Sequence, residues 1–184
     1  LLIAFLLLSG CNHPSVEKRL HLIPYPQSVV LNPGVFFIPD TLKINPGENQ
    51  RESGVCHLLQ EQISRSLPLV TCIRTDVNAH IAFVQGYSSV SGDPDWPTEK
   101  IGSEGYVLQI DPQEIRVVAN TPAGLYYGAQ TLIQIFSANG KENSIPCCEI
   151  TDWPDFKYRG WQDDVSRGPI PTMDYLKRQI RTLA

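Results

Sequence analysis

A basic footprint is what this sequence most plainly lacks. Its 15 lysines and arginines stand against 19 aspartates and glutamates, a formal net charge of −4, and the cations are scattered along the chain. A nucleic-acid partner therefore has no electrostatic support. No CxxC or Cys/His ligand spacing is present, so a zinc site is not indicated. A Gly-rich phosphate loop, a Gly-x-Ser-x-Gly elbow and a His-Glu-x-x-His helix are also missing, which removes the kinase and common protease readings. The longest apolar run, Leu1 to Leu8, is far short of the ~20 residues that span a bilayer. Disorder has no compositional basis either, at 42% hydrophobic and 18% charged residues. With 15 prolines and 13 glycines the chain reads as many turns and short elements rather than a helical bundle.

The apolar start has the length of a signal-peptide core and is followed by small residues. Leu8-Ser9-Gly10-Cys11 resembles a bacterial lipobox, in which the cysteine, here Cys11, is acylated and becomes the mature N-terminus. A buried strand ending in Ser-Gly-Cys is the plainer alternative. Residues 1–11 are thus expected to be a lipoprotein signal peptide, clipped at its start, with 12–20 as a polar tether. Asn12 is not the aspartate that typically retains lipoproteins at the inner membrane, so an exported, outer-membrane protein is expected, held to the membrane through its lipid only. Cys56, Cys72, Cys147 and Cys148 fall in apolar patterns and read as buried small hydrophobes.

Residues 22–46 are short apolar runs cut by Pro and Gly, expected as strands and tight turns. Val55, Leu58, Leu59, Ile63 and Leu67 recur at helical spacing, predicting a helix from about Glu48 to Ser66, stopped by Pro68. LVTCIR (69–74) and HIAFVQG (80–86) read as buried strands, and 86–105 as a surface loop. In 105–120, alternation on either side of Asp111-Pro112 predicts a hairpin. Thr121 and Pro122 then suit the cap and first position of a helix reaching Asn139-Gly140. An α+β domain, an antiparallel or mixed sheet packed with helices, is expected over 21–145.

Beyond Pro146 the sequence predicts a connecting strand, a Trp-Pro turn, a second strand over DFKYRGWQDDV and a helix capped by Thr172. Met173, Leu176, Ile180 and Leu183 share one face of it. One β-loop-α unit cannot bury its apolar face alone, so 146–184 reads as the start of a truncated second domain. The charges on its strand fit either a solvated edge or one wall of a site.

Two segments together resemble the bacterial β-N-acetylhexosaminidases of glycoside hydrolase family 20. SEGYVLQIDPQEIRVVANTPAGLYYGAQTLIQIF (103–136) is similar to the hairpin and helix ending that family's small N-terminal domain. ITDWPDFKYRGWQDDVSRG (150–168) is similar to the segment opening its catalytic (β/α)8 TIM barrel. The resemblance implies that Arg159 hydrogen-bonds hydroxyls of the terminal sugar, a task suited to a planar guanidinium; an ion pair with Asp163 or Asp164 is the bland alternative. Asp164 and Arg167 match an Asp-x-Ser-Arg motif as supporting residues. Gly168-Pro169 stands where the family commonly has an aromatic or His pair, so that loop is expected to differ.

The implied function is exo-hydrolysis of an N-acetylhexosamine-terminated glycan by substrate-assisted retention, without a cofactor. An Asp-Glu pair performs it in the family, in a region beyond Ala184, so the 184 residues alone are expected to be inactive. Asp163 and Asp164 do not replace that pair, because neighbours on a strand point to opposite faces. Two other readings stay open. One is a glycan-binding lipoprotein using Trp96, Trp153 and Trp161. The other is a different glycosidase with the same N-terminal domain, of the O-GlcNAc-removing or α-glucuronidase type, against which the Arg-Gly-x3-Asp-x-Ser-Arg spacing of 159–167 argues.

Overall fold

The computed structural model describes residues 20–47, 54–75, 78–86, 98–139, 142–164, 166 and 168–183. The chain divides into two compact units, one ending at Trp153 and one beginning at Pro154.

The first unit is built on a seven-stranded mixed sheet: β1 (Ser28–Phe37), β2 (Thr41–Asn45), β3 (Val70–Ile73), β4 (Ile81–Gln85), β5 (Tyr106–Ile110), β6 (Ile115–Ala119) and β7 (Ser144–Asp152). Their spatial order is β1-β7-β5-β6-β4-β2-β3. Pairing is antiparallel from β1 through β7 and β5 to β6, and parallel from β6 through β4 and β2 to β3. Its helices are α1 (Val55–Ser66), α2 (Thr98–Ile101) and α3 (Pro122–Asn139). α1 and α3 touch each other; α1 packs on β3, and α3 on β4 to β7. The core between them and the sheet joins Leu59 and Ile63 of α1, Leu125, Leu132 and Phe136 of α3, and Leu42, Phe83, Leu108 and Val117 of the sheet.

The hairpin forms as its alternation predicts. Tyr106, Leu108 and Ile110 face the core opposite Ala119, Val117 and Ile115. Val107 and Val118, on the alternate face, are paired across the strands and are also buried. Asp111 N–H donates to Glu114 O across the turn. The Thr121 hydroxyl accepts the N–H groups of Ala123 and Gly124 at 3.2 and 3.5 Å, satisfying donors that a helix start leaves open.

Other expectations need correction. α1 starts at Val55, not near Glu48: Gly54 precedes it with φ +74°, a left-handed conformation that interrupts a right-handed helix (48–53 lie outside the described residues). Its end matches, because Leu67 is extended ahead of Pro68. The runs around Asn32-Pro33-Gly34 are not two strands and a turn but one strand, β1, whose pairing with β7 slips between Leu31 and Val35. β3 is an edge strand, with Val70 exposed. An apolar run of four residues reads the same at an edge as in the interior. β7 lies between β1 and β5, so the first unit extends to Trp153 rather than ending at 145.

In the second unit the strand expected over 155–165 is not formed: no described residue from 154 to 164 belongs to a strand. Extended backbone is held by ladder bonds to a neighbouring strand. Phe156, Tyr158 and Trp161 are exposed there. The predicted helix is present as α4 (Met173–Leu183), with the Tyr175 N–H donating to Thr172 Oγ1 at 3.3 Å. Met173 and Ile180 of its apolar stripe are exposed. No helix among the described residues is long and apolar enough to cross a membrane.

Candidate functional site

Of the residues singled out from the sequence, Cys11, Trp96 and Arg167 lie outside the described residues. Arg159 is exposed, and its Nη1 donates to the carbonyl of Phe156 at 2.6 Å, so the guanidinium folds back on its own loop. Asp164 is also exposed. Its Oδ1 accepts the Ser166 N–H at 2.8 Å, closing an Asx turn. Bonds from the Ser166 hydroxyl and N–H hold the Asp164 carboxyl below the usual carboxylate range. A carboxylate so favoured suits a fixed acceptor, not a general acid, which must keep its proton near neutrality.

Asp163 and Asp164, expected on opposite faces of a strand, are not in a strand and line one open cleft of about 460 Å³ together with Pro169, Ile170, Thr172 and Tyr175. Arg159 is not among the described residues lining it. A second cleft of about 370 Å³ lies between Trp161 and α4, where Arg178 stacks 5.7 Å from the Tyr175 ring centroid. This unit therefore offers two carboxylates on one cleft and Trp161 with Arg178 on the other, Tyr175 lining both, while Arg159 lines neither.

The first unit holds a polar network that sequence reasoning missed. Tyr106 is buried, and its hydroxyl bonds Thr131 Oγ1 on α3 and donates to Asp152 Oδ2 at 3.4 Å. With that proton committed to Asp152, the Thr131 hydroxyl donates to Tyr106. Asp152 Oδ1 accepts the Gln27 N–H at 3.1 Å, and Gln27 Nε2 reaches the Trp153 carbonyl at 3.4 Å. Burial holds the Tyr106 phenol well above its ordinary range; the Thr131 bond opposes this and the Asp152 carboxylate adds to it. The last residues of β7 are thus tied to β5, α3 and the segment before β1.

Gly105 of Glu104-Gly105-Tyr106, and Gly124 and Gly128 of Ala123-Gly124-x-x-Tyr127-Gly128, all within the 103–136 segment that carries the family resemblance, sit at close approaches around that network. A β-carbon on Gly105 would lie 2.6 Å from Asp152 O, and one on Gly128 would lie 3.1 Å from Tyr106 Cδ2 and collide with Val117. The motif's signal is therefore packing: it seats α3 on the hairpin.

With that geometry in place, the sequence model described as glycosyl hydrolase family 20, domain 2, matches residues 19–153, the whole described first unit. The chain belongs to glycosyl hydrolase family 20. Among the relatives it matches, the β-hexosaminidase of Porphyromonas gingivalis is 25% identical over 178 residues, covering 93% of this chain and 22% of that protein. The first relatives matched are covered over only 13% to 31% of their length. Two solved structures share the fold. A Flavobacterium johnsoniae chitobiase superposes with a TM-score of 0.65 at 24% identity, over 91% of this chain and 26% of that one. A Streptomyces plicatus N-acetyl-β-hexosaminidase superposes with a TM-score of 0.61 at 20% identity, over 77% and 28%.

Proposed function

We propose that this chain is the amino-terminal portion of an exo-β-N-acetylhexosaminidase that removes terminal GlcNAc or GalNAc from glycans. The observation that carries this reading is the family match over 19–153, followed in the chain by Arg159-Gly160 and Asp164-x-Ser166-Arg167. In it, the first unit is an accessory domain and 154–184 opens the catalytic (β/α)8 barrel. The 155–164 segment becomes the first barrel strand once neighbouring strands offer ladder partners.

Arg159 then turns from Phe156 O to the sugar hydroxyls, with Asp164 and Arg167 supporting that wall. The reaction is substrate-assisted: the 2-acetamido oxygen attacks the anomeric carbon as a general acid protonates the leaving oxygen, and water then opens the oxazolinium-like intermediate with retention. A downstream Asp-Glu pair supplies the orienting and acid–base groups. The 184-residue chain alone is inactive, and Cys11 carries lipid that holds the protein at the outer membrane.

The test is nitrophenol release from nitrophenyl N-acetyl-β-glucosaminide by the full-length protein, with the 184-residue chain as control. Activity in the full-length protein alone, abolished by Arg159→Ala, supports the reading. Silence from a folded full-length protein overturns it and favours a glycan-binding relative.

A further inference from the structure

The sheet has one thin junction. β4 pairs with β2 through two residue pairs, Ile44 with Ile81 and Asn45 with Ala82. Its junction with β6 has five pairs, and β2 has four with β3. β2 and β3, with α1 packed on β3, therefore join the rest of the sheet across its shortest ladder.

His80, immediately before β4, lengthens that ladder in an unusual way. Its N–H donates to Lys43 O at 2.9 Å, and its carbonyl accepts the Ile115 N–H of β6 at 2.8 Å. The Lys43 N–H then donates to His80 Nδ1 at 3.0 Å, so the imidazole stands where a ladder carbonyl would otherwise be. That bond needs an unprotonated Nδ1, leaving the proton on Nε2. Protonation at Nδ1 removes the lone pair and sets two N–H groups against each other.

We propose that His80 is an acid-sensitive latch on the β4–β2 junction: neutral, it closes the junction; protonated, it lets the β2–β3 edge open while β5, β6 and β7 stay paired. The surroundings favour the neutral ring. Burial first, and the Lys43 ammonium on β2 second, hold the imidazole below its usual range. On the β6 side the Glu114 carboxylate is paired with Arg116 at 3.5 Å. α3, the helix over β4, carries no Lys, Arg, Asp, Glu or His. Arg74 lies beyond β3, where its backbone N–H bonds Ile44 O; the charge that acts on the imidazole is that of Lys43. A folded-state value below the unfolded one means the latch contributes fully above about pH 6.5, the ordinary histidine value, and is lost as pH falls through the lower folded value. This inference is independent of the glycosidase reading.

Hydrogen exchange followed by mass spectrometry tests it on the 184-residue chain, with rates corrected for intrinsic pH dependence. From pH 7.5 to 4.5, protection in 41–45 and 70–73 should fall roughly tenfold, the equivalent of one lost hydrogen bond. Protection in 106–110 and 115–119 should hold. His80→Asn places a non-titrating oxygen near the Nδ1 position and should flatten the response. His80→Phe should leave the edge weakly protected at both pH values. Equal pH dependence in the native chain and His80→Asn overturns the proposal, as does a native response shared evenly by all strands; both comparisons stand even if His80→Phe fails to fold.

Discussion

Gly124 lies directly against the carbonyl oxygen of Gly105, with the Ala119 β-carbon 2.7 Å from where a side chain on Gly124 would begin. Two glycines distant in sequence thus let the first turn of α3 rest on the backbone at the start of β5. Alanine at 124 meets backbone that cannot move without disturbing the Tyr106 pairing. Gly124→Ala and Gly128→Ala should each destabilise the chain by about 1–3 kcal/mol or more. Gly160→Ala, with open space at its β-carbon, should change the thermal midpoint little. Thermal unfolding of the three variants checks the ranking.

Tyr106→Phe should cost about 1–3 kcal/mol, because it strands a buried Thr131 hydroxyl and removes a donor from Asp152. Thr131→Val in the same background should cost much less than in the native chain. Urea denaturation of both single variants and the double variant would read a coupling of about 0.5–3 kcal/mol. Additive losses would mean that the two hydroxyls do not act as a pair.

Thr121 serves two neighbours, donating to Ser103 O and accepting the first free N–H groups of α3. Thr121→Ala should cost about 1 kcal/mol or somewhat more, and Thr121→Ser should restore most of it, since the hydroxyl and not the methyl makes these bonds. Chemical denaturation distinguishes them.

The buried thiols make the fold alkali-sensitive. Burial pushes Cys56 and Cys148 up to about 12, with the Cys147 thiol and the Glu149 carboxylate adding at Cys148. In the unfolded chain both ionise near pH 8.5, so the unfolded state loses protons that the native state keeps. Each thiol should remove about 1.4 kcal/mol of stability per pH unit between those limits. Cys56→Ala or Cys148→Ala should shallow the slope of stability against pH, at some cost in packing. At pH 8 a thiol reagent should label these two sites only after denaturant is added.

How much of this was legible follows from the range of the interactions. The β5–β6 hairpin and the Thr121-Pro122 start of α3 are local devices, and alternation and capping chemistry reveal them directly. The place of β7 between β1 and β5 depends on partners far away in the chain, and no periodicity encodes it. The same holds for β3, whose Val70 is apolar yet exposed. At the candidate site, the residue types were legible but their arrangement was not. Arg159 bends toward Phe156 and Asp164 toward Ser166, because an extended wall needs ladder partners that 155–164 lacks among the described strands. The Tyr106 network escaped notice because tyrosine in a strand reads as an apolar residue until its hydroxyl is seen among Thr131 and Asp152.

The slip in β1 bears on how these molecules behave in a crowd. β1 is an outer strand, and a straight, fully bonded outer strand would be a template on which another chain could polymerise. Pro33 has no N–H to offer a newcomer, and the offset between Leu31 and Val35 breaks the repeat that a docking strand would have to match. The exposed side chains of Val30 and Phe37, sticky by themselves, thereby sit on a rim whose broken repeat hinders a second chain from docking along it.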